Sequence, residues 1–537
     1  MALDRRSVTR YTISRPMQVY VGENQPEKYD PVKLVDLNLE CARITSDKTL
    51  TTANGGIMLS ITFPSTNENM LRLPAKLEEV RTFTDENHYI LRFVSLDEKQ
   101  KTGLEDCLKT LAAISDRRFK ESPAMSMSIT RTSDYYEKRV TKPVFLKCIR
   151  YNRMEKLMDR SRYYYMREIE SGNETYLTVK GRRMLNFGSN NYLGMATNPE
   201  VKEAAIKAIE KYGVGSGGVR VLSGTVDLHN MLEKKLARFK GGEDCIVFST
   251  GYTTNVGTVS ALLSKNDYAI VDAKAHASLI DGCILSGSHL QVFKHNDMQD
   301  LEKELGKIDA KAPKMIITDG VFSMDGDVAK LDIIYELGKK YNAAVMVDDA
   351  HSTGVLGKTG RGTAEHFGLE GKIDVAMGTL SKALGAVGGF IVSKSKVIHY
   401  LKHNSRAFVF TTSLPPSVSA SLLKVIEILE TQPQWHERLW RNIRVVMREL
   451  YIAGFNTGQS ESAVIPIILR DDHKTYEMTG MLEEEGVFVS PVVYPAVRRK
   501  EGRLRLSIMA THTDQDIQML MDKLKKTAKK LNLISDK

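Results

Sequence analysis

The chain has 537 residues, a hydrophobic content of 42%, a charged content of 26% and a formal net charge of +10. This length exceeds the roughly 250–300 residues at which a single hydrophobic core stops growing, so we expect at least two domains. The basic residues are scattered and lie mostly on predicted helix faces, which is typical of a solvated surface and argues against a nucleic-acid-binding protein.

The five cysteines are far apart in the sequence. Their odd number and wide spacing match neither a disulfide framework nor a zinc-binding pattern, which favours a reducing compartment and no metal site. The sequence contains no apolar run of about 18 residues, and no targeting segment follows the first methionine. We therefore expect a cytoplasmic protein without a transmembrane segment.

The first 112 residues contain short strand patterns separated by turn-forming stretches, which predicts a small β-barrel or sandwich. The predicted strands cover residues 17–21, 33–37, 56–63, 75–83 and 88–94, and a predicted helix over residues 96–111 closes the unit. Residues 113–150 have the polar, weakly patterned composition of a linker. These patterns predict an N-terminal domain over residues 1–112 and a linker after it.

Strand and helix patterns alternate from about residue 160 onward. A helix is predicted over residues 199–212, beginning at Pro199 and ending before Gly213, and another over residues 226–240. Apolar strands are predicted at residues 245–248, 268–271, 315–318, 344–347, 375–377 and 390–392. Such strands are typical of a mostly parallel sheet that is buried on both faces. Residues 420–537 mix helices with strands at 463–469 and 504–508, which predicts a second, smaller α/β lobe.

Polar residues directly follow five of these predicted strands. They are residues 249–252 (Ser-Thr-Gly-Tyr), 272–278 (Asp-Ala-Lys-Ala-His-Ala-Ser), 319–327 (Asp-Gly-Val-Phe-Ser-Met-Asp-Gly-Asp), 348–351 (Asp-Asp-Ala-His) and 378–382 (Gly-Thr-Leu-Ser-Lys). In open α/β sheets, ligands bind just beyond the carboxyl ends of the strands. We therefore expect acids, histidines, hydroxyls and a lysine to converge at one edge of the sheet.

An aldehyde cofactor with a pyridine ring and a phosphate would use such residues. Lys382 can form a Schiff base with an aldehyde, and Asp348 can place a carboxylate against a ring nitrogen. The helix that opens at Gly251 offers free N–H groups to a phosphate, and Thr379 offers a hydroxyl. His276 is a candidate to cover the ring and pass protons.

Several further motifs accompany these residues in order along the chain. They are Asn-Asn-Tyr-Leu-Gly (190–194), Gly-Ser-Gly-Gly-Val-Arg (215–220), Lys-Ala-His-Ala-Ser-Leu (274–279), Val-Phe-Ser-Met-Asp-Gly-Asp (321–327), Thr-Thr-Ser-Leu-Pro-Pro (411–416) and Arg-Leu-Arg-Leu-Ser-Ile-Met-Ala-Thr-His-Thr (503–513). Together with residues 348–351 and 378–382, they resemble the α-oxoamine synthases over about residues 160–530. These pyridoxal-phosphate (PLP) acyltransferases include serine palmitoyltransferase, 8-amino-7-oxononanoate synthase, glycine C-acetyltransferase and 5-aminolevulinate synthase.

The resemblance implies the α/β PLP-dependent transferase fold type I over residues 151–537. Its mostly parallel sheet would lie in a large lobe at about residues 190–420. A smaller α/β lobe at about residues 420–537 would be completed by the segment that precedes the large lobe.

The same resemblance implies roles for individual residues. Lys382 would bind PLP as a Schiff base and remove the α-proton of an amino acid, while Asp348 would keep the pyridine nitrogen protonated. His276 would stack on the ring and bind the substrate carboxylate. The other implied contacts are His351 and Ser323 at the ring oxygen, Gly251, Tyr252 and Thr379 at the phosphate, Thr411 or Thr412 from the second subunit of a homodimer, and Arg505 and Asn191 at the substrate.

The implied reaction is a decarboxylating condensation of an amino acid with an acyl thioester of coenzyme A or an acyl carrier protein, giving an α-amino ketone. The stretch Arg-Val-Leu-Ser-Gly-Thr (220–225) favours a serine palmitoyltransferase-like branch. The alternatives within the family are alanine use, as in 8-amino-7-oxononanoate synthase, and glycine use with an acetyl thioester. Transamination and aldol cleavage, which other enzymes of this fold type perform, also stay open.

Two N-terminal motifs resemble the signatures of PilZ domains, which are β-barrels that bind cyclic di-GMP. They are Arg-Ser-Val-Thr-Arg (6–10) and Asp-Leu-Asn-Leu-Glu-Cys-Ala-Arg (36–43), and they imply nucleotide contacts by Arg6, Arg10, Asp36 and Asn38. Asn38 replaces the serine of the motif and Cys41 replaces its glycine, so the domain is predicted to be degenerate. The alternatives are a barrel used only for docking, or a cyclic di-GMP-responsive binding protein whose large domain is a non-catalytic scaffold.

Overall fold

The computed structural model describes residues 163–534, a few residues between 100 and 148, and the backbone of seven strands within residues 11–93. The chain divides into two compact units, Met1–Asp159 and Arg160–Lys537. Apart from Gln100, the predicted helix over residues 96–111 lies outside the described residues.

The strands of the first unit form a closed antiparallel ladder. They are β1 (Tyr11–Thr12), β2 (Gln18–Gly22), β3 (Asp30–Leu37), β4 (Cys41–Ser46), β5 (Gly56–Thr62), β6 (Met70–Thr82) and β7 (Asn87–Phe93). The order is β3-β2-β5-β6-β7-β4, and β4 pairs back to β3, while β1 adds to the free side of β3. The strands predicted from the sequence are present, and β1 and β4 are additional strands that the prediction missed.

The second unit begins with a hairpin of β8 (Tyr176–Val179) and β9 (Arg182–Asn186). The central sheet follows, with strands β10 (Asp244–Phe248), β11 (Tyr268–Asp272), β12 (His289–Phe293), β13 (Lys314–Asp319), β14 (Ala344–Asp348), β15 (Val375–Thr379) and β16 (Gly389–Ser393). Their order is β10-β16-β15-β14-β13-β11-β12. All neighbours are parallel except β16, which runs antiparallel to both of its neighbours. The prediction of a mostly parallel sheet is therefore confirmed.

Helices cover the faces of this sheet and extend into the C-terminal part. They are Pro199–Tyr212, Asp227–Lys240, Gly251–Leu262, Ala277–Ser286, Met298–Leu305, Leu331–Lys340, Thr363–His366, Ser395–Asn404, Arg406–Val409, Pro416–Thr431, Gln434–Ile452, Asp472–Glu484 and Asp514–Lys530, with a short 3₁₀ turn at Met195–Thr197. Another 3₁₀ turn, Pro143–Phe145, belongs to the first unit. The first helix has the predicted bounds.

The C-terminal part contains β17 (Val464–Ile468), β18 (Val487–Phe488), β19 (Ser490–Val492) and β20 (Arg503–Ser507). An antiparallel sheet has the order β17-β20-β19, and β18 pairs in parallel with β9. The segment before residue 190 therefore shares a sheet with the C-terminal residues.

None of the helices in the described parts of the chain combines the length and the apolarity that crossing a bilayer requires.

Candidate active site

A cavity of about 350 Å³ lies at the carboxyl ends of the central strands, and we call it the first cavity. Many residues predicted from the sequence to form the site line it: Gly251, Tyr252, His276, Ser323, Asp348, His351, Thr379 and Lys382. The two that are farthest apart in the sequence, Gly251 and Lys382, are separated by 131 positions. The parallel strands bring these residues together, because the carboxyl ends of the strands share one edge of the sheet.

The carboxylate of Asp348 is held at the bottom of the first cavity by two donors. Asp348 is only 2% exposed; its Oδ2 accepts a hydrogen bond from Asn255 Nδ2 at 2.6 Å, and its Oδ1 accepts one from the Ala350 N–H at 2.8 Å. Asn255 Nδ2 also donates to Ser278 Oγ at 2.9 Å. Because charge-assisted hydrogen bonds favour the anion, this arrangement keeps a carboxylate fixed in one orientation.

Asn255 leaves one acceptor available in the cavity wall. Its Oδ1 is buried and has no hydrogen-bond partner among the residues that the structure describes. A buried polar atom without a partner is costly, so such an atom in a ligand-sized cavity points to a ligand that supplies a donor. This observation agrees with a polar cofactor beside Asp348.

Lys382 follows β15 and lines the same cavity. Burial disfavours the charged ammonium and lowers the pKa of Lys382 to about 8, although the negative charge of Asp348 opposes this shift. The positive charge of Arg505 contributes in the same direction as burial. A substantial fraction of the amine is therefore neutral near pH 7–8, and the neutral form is the nucleophile that an aldehyde requires.

Two histidines of the first cavity are kept neutral. Partial burial lowers the pKa of His276, and full burial, together with the positive charges of Lys382 and Arg505, lowers the pKa of His351 well below its usual value. His276 caps the helix Ala277–Ser286, because its Nδ1 accepts a hydrogen bond from the Ser278 N–H at 3.3 Å. The same Nδ1 lies 2.7 Å from Ser278 Oγ. In the tautomer in which Nδ1 accepts, the neutral ring carries its proton on Nε2 and can donate it to a ligand.

The N-terminus of the helix Gly251–Leu262 forms a cradle for an anion. Its cap is Thr250, whose Oγ1 accepts a hydrogen bond from the Thr253 N–H at 3.1 Å. A Cβ atom at position 251 would lie only 2.8 Å from Thr379 Oγ1, so glycine is needed for the helix end to approach that hydroxyl. Thr379 Oγ1 lies 2.9 Å from Ser381 Oγ. A helix end with hydroxyls beside it suits a phosphate group.

Arg505 lies on β20, behind the wall of the first cavity. Its Nε donates to the Ser323 carbonyl at 2.7 Å, and its Nη1 donates to Asn190 Oδ1 at 3.1 Å. Its Nη2 lies 3.4 Å from the hydroxyl of Tyr192, which in turn contacts His351 Nδ1 at 2.8 Å. The guanidinium is thus connected to the first cavity through this network.

A second cavity of about 550 Å³ is lined by residues 273–277, 322–325 and 494–498 and by Glu501. His276 and Ser323 line both cavities and form their common boundary. Asp325 in the second cavity pairs with Arg503 Nη1 at 2.7 Å and with Lys274 Nζ at 3.1 Å. Burial opposes ionisation of Asp325, but the pairing outweighs it and lowers the pKa of this carboxyl.

Residues 182–524 match the aminotransferase class I and II family, which is 343 of the 537 residues. The chain belongs to this family. One family member, the serine palmitoyltransferase of Sphingobacterium spiritivorum, is 44% identical over 72% of this chain and 96% of its own length. The 8-amino-7-oxononanoate synthase of Thermoanaerobacter pseudethanolicus is also 44% identical, over 71% of this chain and 97% of its own length.

Solved structures of family members share the fold of this chain. The serine palmitoyltransferase of Sphingomonas wittichii superposes with a TM-score of 0.71 at 36% identity, covering 73% of this chain and 99% of that one. The serine palmitoyltransferase of S. paucimobilis with a bound PLP–myriocin aldimine gives a TM-score of 0.69 at 37% identity, covering 71% and 97%. The predicted resemblance to the α-oxoamine synthases and the predicted fold type I are therefore confirmed.

Besides Arg505, three of the predicted site residues do not line the first cavity. The side chain of Asn191 donates to the Asn173 carbonyl at 3.1 Å and accepts from the Ala196 N–H at 3.2 Å, whereas its neighbour Asn190 contacts Arg505. Thr411 and Thr412 also lie outside the lining, and the carbonyl of Thr412 accepts a hydrogen bond from Ser249 Oγ at 3.0 Å.

Of the predicted nucleotide contacts, Arg6, Arg10 and Asn38 lie outside the described residues. Asp36 belongs to β3, where only the backbone is described. Binding of cyclic di-GMP by these residues therefore stays a prediction.

The family site also contains residues to which the sequence analysis gave no role. Asn255, Ser278 and Asp319 line the first cavity, and Asp319 Oδ2 accepts a hydrogen bond from the His276 N–H at 2.9 Å. Burial and the nearby charge of Asp348 raise the pKa of Asp319 well above its usual value. Asp319 could have been identified from its position at the end of a predicted strand, but Asn255 lies inside a helix and carries no such signal.

Proposed function

We propose that this chain is a PLP-dependent C-acyltransferase that condenses serine with a long-chain acyl thioester, as a serine palmitoyltransferase does. The observation that carries the proposal is a lysine with a pKa of about 8 in the same cavity as a fixed carboxylate, a histidine and a helix N-terminus. The serine palmitoyltransferase relatives, which this chain covers almost completely, support the choice of reaction. The expected cytoplasmic location remains a prediction.

We assign PLP to the first cavity because the residues present fit each of its parts. Lys382 would bind the aldehyde carbon, and Asp348 would accept a hydrogen bond from the ring nitrogen. The helix N-terminus at Gly251 and the hydroxyl of Thr379 would hold the phosphate. His276 would cover one face of the ring. When bound, the cofactor supplies a sink for the electron pair that deprotonation leaves on the substrate α-carbon.

The residues of the chain then have separate tasks in the reaction. The neutral amine of Lys382 would accept the α-proton of the amino acid, for which a pKa of about 8 is well matched to neutral pH. The carboxylate of Asp348, held by its two donors, would accept a hydrogen bond from the protonated ring nitrogen. The α-carbon would form a bond to the acyl carbon as the thiolate leaves and takes up a proton. The carboxylate would then depart as carbon dioxide, and the electron pair that it leaves would take a proton back from Lys382.

Arg505 and His276 are proposed to bind the substrate carboxylate. A guanidinium can present two parallel N–H groups to a carboxylate, and His276 can donate from Nε2. Arg505 now uses its N–H groups on Asn190, Ser323 and Ser507, at distances of 2.7–3.1 Å. Nη2 makes only the 3.4 Å contact with the Tyr192 hydroxyl among the described residues, so it retains donor capacity for a carboxylate.

Product mass spectrometry with a panel of amino acids and acyl thioesters tests this function. Serine with palmitoyl-CoA should give one α-amino ketone and one carbon dioxide per turnover, and Lys382→Ala should give neither. The panel also includes alanine with pimeloyl-CoA, because a relative named 8-amino-7-oxononanoate synthase has the same 44% identity. Glycine with acetyl-CoA tests the third family activity, and acyl carrier protein thioesters test the donor.

The outcomes of this panel separate the remaining alternatives. A keto acid without carbon dioxide would indicate transamination, and a released aldehyde would indicate aldol cleavage. A protein that binds no PLP and forms no product would be the non-catalytic scaffold that the sequence leaves open.

We also propose a homodimer with shared active sites. Thr411 and Thr412 do not line the first cavity of their own chain, which is compatible with a contribution to the cavity of a second copy. Tyr252 and Val387 line the cavity and yet remain 45% and 42% exposed, as is expected for residues that a second subunit covers. Sedimentation of the holoenzyme checks the dimer. The Thr411→Ala and Thr412→Ala variants should bind the cofactor more weakly but should remain dimeric.

For the N-terminal unit, we propose a degenerate PilZ-like barrel. The closed antiparallel ladder of β2 to β7 supports this architecture. Binding of cyclic di-GMP by Arg6, Arg10, Asp36 and Asn38 is tested by calorimetry on the full chain, with Arg6→Ala as the control. No heat from the unsubstituted chain would leave the barrel with a docking role only.

A further inference from the structure

His295 lies between two carboxylates near the boundary of the two cavities. Its Nδ1 is 2.9 Å from Asp272 Oδ1, and its Nε2 is 2.9 Å from Asp327 Oδ2. Its ring also packs edge-to-face on Phe322, with ring centroids 4.4 Å apart. A neutral imidazole has a single N–H, so donation to both carboxylates requires the imidazolium form.

The next residue, Asn296, reinforces this corner of the chain. Its N–H donates to Asp272 Oδ2 at 2.8 Å, and its side-chain Nδ2 donates to the Val328 carbonyl at 2.9 Å. It adopts a left-handed backbone with a φ of 53°, which asparagine tolerates better than most residues. His295 and Asn296 together therefore join the segment that follows Asp272 to the segment that ends at Asp327.

These two segments carry the residues that separate the cavities. Asp272 is the last residue of β11, and the chain reaches His276 four residues later. Asp327 closes a tight turn that contains Ser323, since the Phe322 N–H donates to the Asp327 carbonyl at 3.1 Å. His276 and Ser323 each line both cavities. The contacts of His295 therefore tie together the two segments that carry the common boundary of the cavities.

We propose that His295 is a positioning residue that, as an imidazolium, clamps the His276 and Ser323 segments together and so sets the passage through which the acyl thioester reaches the first cavity. This inference rests on the proposed function, because it takes the second cavity as the approach for the acyl donor. His295 lines neither cavity and acts through the two aspartates.

Protonation of His295 gives the clamp a defined pH range. Partial burial opposes the charge, but the hydrogen bonds to Asp272 and Asp327 outweigh it and raise the pKa of His295 from 6.5 to about 9. Because the folded-state pKa is the higher one, the clamp stabilises the native state fully below about pH 6.5, and this stabilisation is lost as the pH rises through about 9. The acidic groups that face the ring are Asp272 and Asp327, from the ends of β11 and of the Ser323 turn.

His295→Gln tests the proposal, because glutamine can donate to one carboxylate but places an oxygen against the other. We expect the KM for palmitoyl-CoA to rise by about tenfold or more, because the displaced segment would bind the thioester less well. Misplacing a binding group by about 1 Å can cost about a hundredfold in kcat/KM. The kcat and the absorbance of bound PLP should change much less. In the holoenzyme, kcat/KM for the thioester should fall as the pH rises through about 9, and this fall should be missing from the variant.

His289→Gln is the matched control, because His289 lies at the far end of β12, the strand that precedes His295, where its exposed ring stacks on Tyr268. It should keep the KM and the pH profile of the unsubstituted holoenzyme. A His295→Gln protein with an unchanged KM and an unchanged alkaline fall would overturn the proposal. Should that variant not fold, Asp327→Asn, which leaves the Asp272–His295 contact in place, must show the same rise in KM.

A failure of the proposed function can be told apart from a failure of the clamp. If no thioester gives a product, the function fails, and thermal unfolding of the PLP-bound protein then tests the clamp. The difference in melting temperature between the unsubstituted protein and His295→Gln should shrink as the pH rises through about 9. A difference that does not depend on pH would refute the clamp independently of activity.

Discussion

The first and second cavities meet at His276 and Ser323, but they are built differently. The first is formed by the ends of buried parallel strands, and the carboxylate of Asp348 at its base is only 2% exposed. The second is formed by loops, and its central ion pair, Lys274 with Asp325, has side chains that are 40% and 21% exposed. Because exposed charges are screened by water, the same residue types should matter far more in the first cavity.

The largest effect is expected at Lys382. Lys382→Ala removes the amine that binds the aldehyde and accepts the α-proton, so turnover should fall by at least about a thousandfold. Borohydride treatment of the PLP-loaded protein, followed by peptide mass spectrometry, should place the reduced cofactor on Lys382. Lys274→Ala, the lysine of the second cavity, serves as the control and should retain the covalent label. Labelling at a different lysine would refute the assignment of the first cavity.

The two carboxylates provide a direct comparison between the cavities. Asp348→Asn should lower kcat by roughly a hundredfold or more, because a neutral amide no longer keeps the ring nitrogen protonated. Asp325→Asn should mainly change the KM for the thioester, by less than about tenfold. Steady-state kinetics with both substrates measures the two parameters. Equal losses of kcat in the two variants would mean that burial does not distinguish the cavities.

A buried ion pair supports the loop behind the first cavity. Lys240 Nζ lies 2.7 Å from Asp349 Oδ2, and the two side chains are 1% and 0% exposed. Lys240→Met would leave a buried carboxylate unpaired, so the free energy of unfolding should drop by about 3–5 kcal/mol. Lys274→Met breaks an exposed pair and should cost only about 0.2–1 kcal/mol. Denaturant titration of both variants measures this contrast, which comparable losses would contradict.

The smallest effect concerns the pH dependence of cofactor binding. Because the pKa of Lys382 is about 8, only about a tenth of the amine is neutral at pH 7, while most of it is neutral at pH 9. The rate at which the apoprotein recovers bound-PLP absorbance should therefore be roughly tenfold higher at pH 9 than at pH 7. Stopped-flow absorbance measures this rate. A rate that stays constant over this range would indicate an amine with an ordinary pKa.

Much of the fold could be predicted because the strands of the central sheet have short apolar sequences between turns. Each predicted strand is present, and several extend to the functional residue at their end, as β14 does to Asp348 and β15 to Thr379. The edge strand β12 was missed, because four of its five residues are partly or fully exposed and it has no apolar run. The antiparallel direction of β16 depends on tertiary packing and has no local signal.

The site residues divide in the same way. Lys382, Asp348 and His276 follow predicted strands, so strand position and chemistry were enough to select them. Asn255 and His295 act through partners that are between 23 and 93 residues away in the sequence, and such contacts appear only when the chain is folded. Sequence position alone also could not decide between Asn190 and Asn191, because only the local turn determines which amide faces Arg505.

Hydrogen bonds join the segment around Asn190 to the C-terminal residues that carry Arg505. The Ser507 N–H donates to the Phe187 carbonyl, and the Ala510 N–H donates to the Tyr192 carbonyl, so both sides of Asn190 are bonded to the strand and loop that carry Arg505. A tilt of the C-terminal sheet would therefore move the Arg505 guanidinium together with Asn190 and Tyr192. The affinity for the amino acid would then change while the PLP-binding residues at the ends of the central strands keep their positions.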